Sequence, residues 1–219
     1  LDLTKEISPQ IASAFLQLIE YAINSPEPFL RARGFLVAAL LVQFVPDDVS
    51  LGLLDRTIQS VNGDKSEVVN AACIRALQGF MKANKVPVDH QIPIIASISD
   101  FLYAKDLTEL EDAEDLLVTL VETLRDAIVL DPRIAISNES TALDLLFLLA
   151  KHGAENFQLT MLVTEAFEEV TESLAPSIEA YNALCDKVIP SLTGAFDVGD
   201  MTGDSPLVEV GTPNNTTIR

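Results

Sequence analysis

Catalysis needs groups that converge, and this chain has few to offer. His90 and His152 are its only histidines. Both fall near the ends of expected helices, where capping or exposure is their usual role, and neither has a Cys or Ser companion at nucleophile–base spacing. Asn62-Gly63-Asp64-Lys65-Ser66 contains a Lys-Ser pair without the glycine spacing that wraps a phosphate, so it is expected to be a turn followed by a helix cap. The run Glu109, Glu111, Asp112, Glu114 and Asp115 is rich in hard oxygen ligands but lacks the central glycine and alternating spacing of a calcium loop. An acidic first turn that complements a helix dipole is the simpler assignment. Cys73 and Cys185 stand far apart in apolar runs, which suits free thiols in a reducing compartment and is too few for a cysteine metal site. The sequence therefore predicts no enzyme, no cofactor and no metal; a catalytic role would survive only for a helical accessory region of a larger chain.

Charge is more informative. The 219 residues carry 14 basic and 33 acidic side chains, a formal net charge of −19. Residues 1–105 hold 9 basic and 11 acidic side chains, and residues 106–219 hold 5 and 22, so the excess is regional. It disfavours direct binding to nucleic acid or to an anionic membrane face, and it favours a basic partner. Within one expected helix, Asp112, Asp115, Glu122 and Asp126 fall inside an arc of about 80° over roughly 21 Å of axis. Within another, Glu165, Glu168, Glu169 and Glu172 form a second stripe. Between Asp106 and Lys151 only Arg125, Arg133 and Lys151 stand against this acid, too few for internal neutralisation. If the two helices occupy one face about 10 Å apart, the stripes make an electrostatic contact surface for a cationic partner. The plainer alternative is a solvated face that keeps the protein soluble.

The elements that would position these residues are helical. Trp is absent and Leu, Ala, Val and Ile dominate, a composition that suits helix-on-helix packing. Leu159, Val163, Ala166, Phe167, Val170 and Leu174 recur at spacings of three and four opposite the glutamates, and Leu110, Ala113, Leu117, Leu120, Val121, Leu124 and Ile128 do the same further upstream. No segment alternates as a strand would. Helices are expected over residues 8–24, 27–45, 47–62, 64–83, 88–104, 109–130, 131–152, 155–175 and 177–198. Turns fall at Ser25-Pro26, Pro46, Gly63-Asp64, Pro87, Asp131-Pro132, Gly153 and Pro176. Taking Phe29, Val68, Leu116 and Leu159 as equivalent points gives a period of roughly 40 to 47 residues, which is that of HEAT or armadillo repeats. The expected fold is all-α, a right-handed α-α superhelix of about four and a half helix pairs over residues 1–198. A globular bundle would need middle helices apolar all round, and these keep a polar face.

Residues 199–219 are expected to form a polar tail, disordered or cloning-derived. Asn138-Glu139-Ser140 and Asn215-Thr216-Thr217 read as chance glycosylation matches. The longest uncharged apolar stretch, Gly34 to Val45, is about half the length of a membrane span. No signal peptide is visible, and the absence of an initiating Met marks the sequence as a fragment.

The segments "FLRARGFLVAALLVQF", "SEVVNAACIRALQGFM", "AEDLLVTLVETLRDAIVLDP" and "YNALCDKVIPSL" resemble the middle to C-terminal HEAT repeats of importin-β-superfamily nuclear transport receptors, over roughly Ser25 to Val198. The superfamily's second-helix pattern lands on Val69, Ala72, Ile74, Arg75, Ala76 and Leu77, and its Asp-Pro helix start lands on Asp131 and Pro132. Asn70 stands where a basic residue is often found, and "GTPNNTTIR" resembles no family segment. The resemblance implies a receptor that moves between cytoplasm and nucleus, carries basic cargo such as core histone dimers and the TATA-binding protein, and releases it to the GTP form of Ran. Because the superfamily's main Ran contacts lie in N-terminal repeats, this segment, expected to be monomeric, should bind Ran weakly or not at all. The competing expectation is a HEAT scaffold that orders subunits of a complex without transport, through an exposed apolar ridge.

Overall fold

The computed structural model describes residues 7–105, 114–138, 140–152, 157–201, 208–210 and 216–218. The helices are α1 (Pro9–Ile23), α2 (Pro28–Leu41), α3 (Asp47–Gly63), α4 (Glu67–Lys82), α5 (Gln91–Tyr103), α6 (Glu114–Leu130), α7 (Ala142–His152), α8 (Phe157–Leu174) and α9 (Ile178–Met201). Short 3-10 turns at Val42–Phe44, Val88–His90 and Pro132–Ile136 join some of them. The chain divides into two compact units, 1–173 and 174–219.

Unit 1 is built from helix pairs. α1 packs on α2, α3 on α4 and α5 on α6, while α3 also packs on α5, α2 on α4 and α4 on α6. α2 to α6 are thus each covered by a partner and by a helix of the same rank in a neighbouring pair, as a repeat that cannot bury its apolar face alone requires. α7 packs on α6, and Phe147 on α7 meets Phe167 on α8 with ring centroids 4.9 Å apart. The core runs through Ile19, Phe35, Leu54, Ile74, Leu77, Phe80, Ile94, Ile98, Leu120, Leu124 and Ile128. Two glycines set the closest seams. A Cβ on Gly34 would lie 2.9 Å from Ile23 Cγ1 and 3.0 Å from the Ile23 nitrogen, and one on Gly79 would lie 2.9 Å from Ala39 Cβ.

Helix ends follow local chemistry. Pro9 and Pro28 occupy first-turn positions, where their missing N–H costs nothing. After α4, Asn84 adopts φ 55°, its N–H donates to the Met81 carbonyl (2.8 Å) and the Lys85 N–H donates to the Phe80 carbonyl (3.0 Å). That is the double bond of a Schellman stop, with Asn in the left-handed position.

Two expectations need correction. Residues 131–152 do not form one helix: a 3-10 turn occupies Pro132–Ile136, and α7 starts only at Ala142. Asp131 Oδ1 accepts from the Arg133 N–H (3.1 Å) and so caps the turn; the polar run after Ile136 offers no apolar period to prolong it. In unit 2, α9 passes the expected boundary at 198 and ends at Met201, with Pro190 inside it. Beyond it, antiparallel strands β1 (Val208–Val210) and β2 (Thr216–Ile218) pair Val208 with Ile218 and Val210 with Thr216. Val-Glu-Val and Thr-Thr-Ile are β-branched segments too short to show the sustained alternation by which strands are recognised.

Candidate protein-binding face

The site is assembled by the second helices of unit 1, and buried polar side chains fix where each begins and ends. Arg31 on α2 spans to the α3–α4 turn, donating from Nε to Asp64 Oδ2 (2.7 Å) and from Nη2 to Asp64 Oδ1 (2.8 Å). The same guanidinium donates to the Ser25 and Pro26 carbonyls (3.0 and 2.9 Å). The Arg31 bond holds the Asp64 carboxyl below the usual carboxylate range, although burial works against it. Asp64 also accepts from the Ser66 N–H (2.9 Å), so the turn-then-cap expected for residues 62–66 is realised by Asp64. Asn70 is buried and donates to the Asp64 carbonyl (3.1 Å), which accounts for an amide at a position where a cation is often found. Gln91, 3% exposed, places Nε2 2.8 Å from the Ala127 carbonyl, 3.2 Å from that of Ile128 and 3.0 Å from that of Asp131. It thereby closes the C-terminus of α6, whose last carbonyls have no helical partner.

α4 and α6 are then tied side by side: Gln78 donates to Glu122 Oε2 (2.7 Å), and Arg75 reaches Thr119 Oγ1 (3.5 Å). From α6 to α8 the link is Arg125. It donates from Nε and Nη2 to Asp126 Oδ1 (3.1 and 2.8 Å), and its Nε lies 4.0 Å from Glu169 Oε2. Burial pushes the Arg125 pKa down, and the Asp126, Glu169 and Glu122 carboxylates together more than reverse this, so the net shift is upward.

Asp115, Glu122 and Asp126 lie within about 40° of arc, opposite the buried Leu117, Leu120, Leu124 and Ile128. Glu165, Glu168, Glu169 and Glu172 are exposed, opposite the buried Leu159, Val163, Ala166 and Val170. Arg125 reaching Glu169 puts the glutamate flank of α8 toward α6, so the two stripes are neighbours within unit 1. Asp112 lies outside the described residues. Asp115 is exposed, whereas Glu122 and Asp126 are half-buried and already bonded, to Gln78 and Arg125. The expectation that internal partners cannot offset the acid is therefore corrected in part. Arg125 neutralises Asp126, and a neutral amide, which charge counting overlooks, satisfies Glu122.

The two histidines lie on separate elements. His152 ends α7. His90, expected to cap or to face solvent, is half-buried in a clasp between α3 and the start of α5, with Nδ1 2.8 Å from Asp89 Oδ1 and Nε2 3.1 Å from Asp55 Oδ1. Cys73 is buried and Cys185 half-buried, both free, and burial drives the Cys73 thiol pKa far up. Among the described residues no group of His, Cys, Asp and Glu is arranged to hold a metal. No helix there is long and apolar enough to cross a membrane.

Helix pairs stacked rank upon rank, with polar staples between second helices, define an all-α solenoid of the HEAT type. The family model described as Importin-9 central HEAT repeats matches residues 1–154, about two thirds of the chain, and the chain belongs to that family. Neither a curated protein nor a solved structure matches it. The match starts at residue 1, upstream of Ser25 where the resemblance was expected to begin, and stops short of α8. The protein is accordingly a transport-receptor-like helical-repeat protein with a protein-binding role, in a family that is generally non-catalytic.

Proposed function

We propose that this chain is the cargo-binding part of a nuclear import receptor that carries basic proteins, core histones and the TATA-binding protein among them, from cytoplasm to nucleus. The observation that supports this reading is the adjacency of two acidic stripes, on α6 and α8, with Arg125 the basic side chain between them. Five of the eight carboxylates, Asp115, Glu165, Glu168, Glu169 and Glu172, are exposed and available as electrostatic contacts; Glu122 and Asp126 are half-buried and already bonded, Asp126 through one oxygen, and Asp112 extends the stripe in sequence. Each exposed pair with a partner's cation is worth about 0–1 kcal/mol, so affinity comes from their number and from steering. Release by Ran in its GTP form belongs to the whole receptor; this chain alone binds Ran weakly or not at all, is monomeric, and takes no nucleic acid or membrane directly. The test replaces Glu165, Glu168, Glu169 and Glu172 together by Gln and measures binding of a core histone dimer. Loss of at least about tenfold in affinity at low salt is expected, from four such pairs; unchanged affinity discards the assignment.

A second reading, a scaffold without transport, draws support from exposed apolar side chains at the other end of unit 1: Ile11, Phe15 and Leu18 on α1, and Phe29, Val37 and Leu40 on α2. A partner held there would bind with little dependence on salt.

A further inference from the structure

Between the C-terminal ends of α4 and α6 the second-helix face opens into a groove of about 400 Å³, lined by Met81, Lys82, Arg125, Asp126, Val129 and Leu130. Its apolar surface comes from Met81, Leu130 and Val129, the last 40% exposed. Its rim carries both signs of charge. Lys82 is exposed and makes no ion pair among the described residues. Both Arg125 bonds to Asp126 end on Oδ1, so Oδ2 keeps its acceptor positions, and Glu169 stands across Arg125 at 4.0 Å. We infer that this groove seats one aliphatic side chain of a basic partner, in a segment whose acidic residue meets Lys82 and whose arginine meets Asp126 and Glu169.

The inference rests on the proposed acidic wall and adds what the wall lacks, a source of specificity. Exposed carboxylates attract any polycation, and their pairs are weak and screened. An apolar pocket ringed by one exposed cation and one half-occupied carboxylate distinguishes among polycations. Burying a leucine there contributes a salt-independent term, and a guanidinium suits two oxygens from neighbouring carboxylates better than an ammonium does. Lys82 rejects a uniformly basic segment at that rim and accepts one with a carboxylate in place.

The test is fluorescence anisotropy of the full chain with labelled peptides of about a dozen residues. The parent peptide carries one Asp, one Leu and three Arg; its variants replace Leu by Ala or Asp by Asn. Against the unaltered protein, Leu→Ala should weaken binding about tenfold, and against Val129→Ser that ratio should shrink to about threefold or less. Asp→Asn should weaken binding to the unaltered protein and have no effect on binding to Lys82→Gln. Equal binding of the Leu and Ala peptides, with both still bound in a salt-dependent way, overturns the groove and leaves the wall standing. If none of the peptides binds, the wall fails and the groove with it.

Discussion

The seam between α2 and α4 can be tested by moving a single methyl group across it. A Cβ added at Gly79 would stand 2.9 Å from Ala39 Cβ, whereas carbon atoms in favourable contact lie about 3.5–4.0 Å apart. Ala39 has no flexible end to swing away, so the two helices must separate by about 0.6–1 Å. Overpacking of this kind costs about 1–3 kcal/mol, and replacing a helical glycine by alanine returns about 1 kcal/mol. Gly79→Ala is therefore expected to destabilise by about 0–2 kcal/mol, against the gain of about 1 kcal/mol that an uncrowded helix would show. Ala39→Gly alone loses helix propensity and a methyl that is 9% exposed, about 1–2 kcal/mol in all. The double variant puts the methyl on α4 in place of α2, so the propensity terms cancel and the contact is restored. Its stability should return to within about 0.5 kcal/mol of the parent, a coupling of about 1–4 kcal/mol between the two sites. Urea unfolding followed by circular dichroism reads all four corners of the cycle. Stabilisation by Gly79→Ala together with additive effects would refute close stacking of α2 on α4, and with it the repeat geometry that aligns the second helices.

Two further outcomes follow from the polar staples. Burial pushes the His90 pKa down, but its bonds to Asp89 and Asp55 together outweigh this and raise it overall. His90 thus contributes stability that is complete below its ordinary pKa of about 6.5 and is lost as pH rises through the raised folded value. The melting-temperature gap between the parent and His90→Gln should accordingly be larger at pH 5.5 than at pH 8.5, and a gap independent of pH would contradict the clasp. Gln91→Leu leaves the buried carbonyls at the end of α6 without their shared donor, at a cost of about 1–3 kcal/mol. Amide exchange of the last turn of α6 should rise with it; protection equal to the parent's would show that Gln91 does not close that helix.

Much of the fold can be read from residue spacing, because α3, α4, α6 and α8 keep a largely polar face and bury the opposite one. The stripes of α6 and α8 are visible as three-and-four periodicity, and Asp131-Pro132 marks the stop of α6. The break between Ile136 and Ala142 is harder to see, since Ile134 and Ala135 continue an apolar rhythm that the Asp131 cap turns into a 3-10 segment. The tail strands escape because three residues are too few for a period. At the candidate site, charge type and position are legible but pairing is not. Which carboxylates Arg125 and Gln78 engage depends on neighbours 44 residues away in sequence. Gln78 sits inside an apolar run and Gln91 opens one, and a glutamine there is itself a sign of a buried donor needing an acceptor.

The most direct test of the acidic wall is a titration of core histone dimer affinity against ionic strength for the unaltered chain. Partner binding through several exposed carboxylates predicts that log Kd rises steeply with log salt concentration, with weakening of at least about tenfold between low and physiological salt. Affinity that stays level across that range would place the contact on an apolar surface and contradict the account.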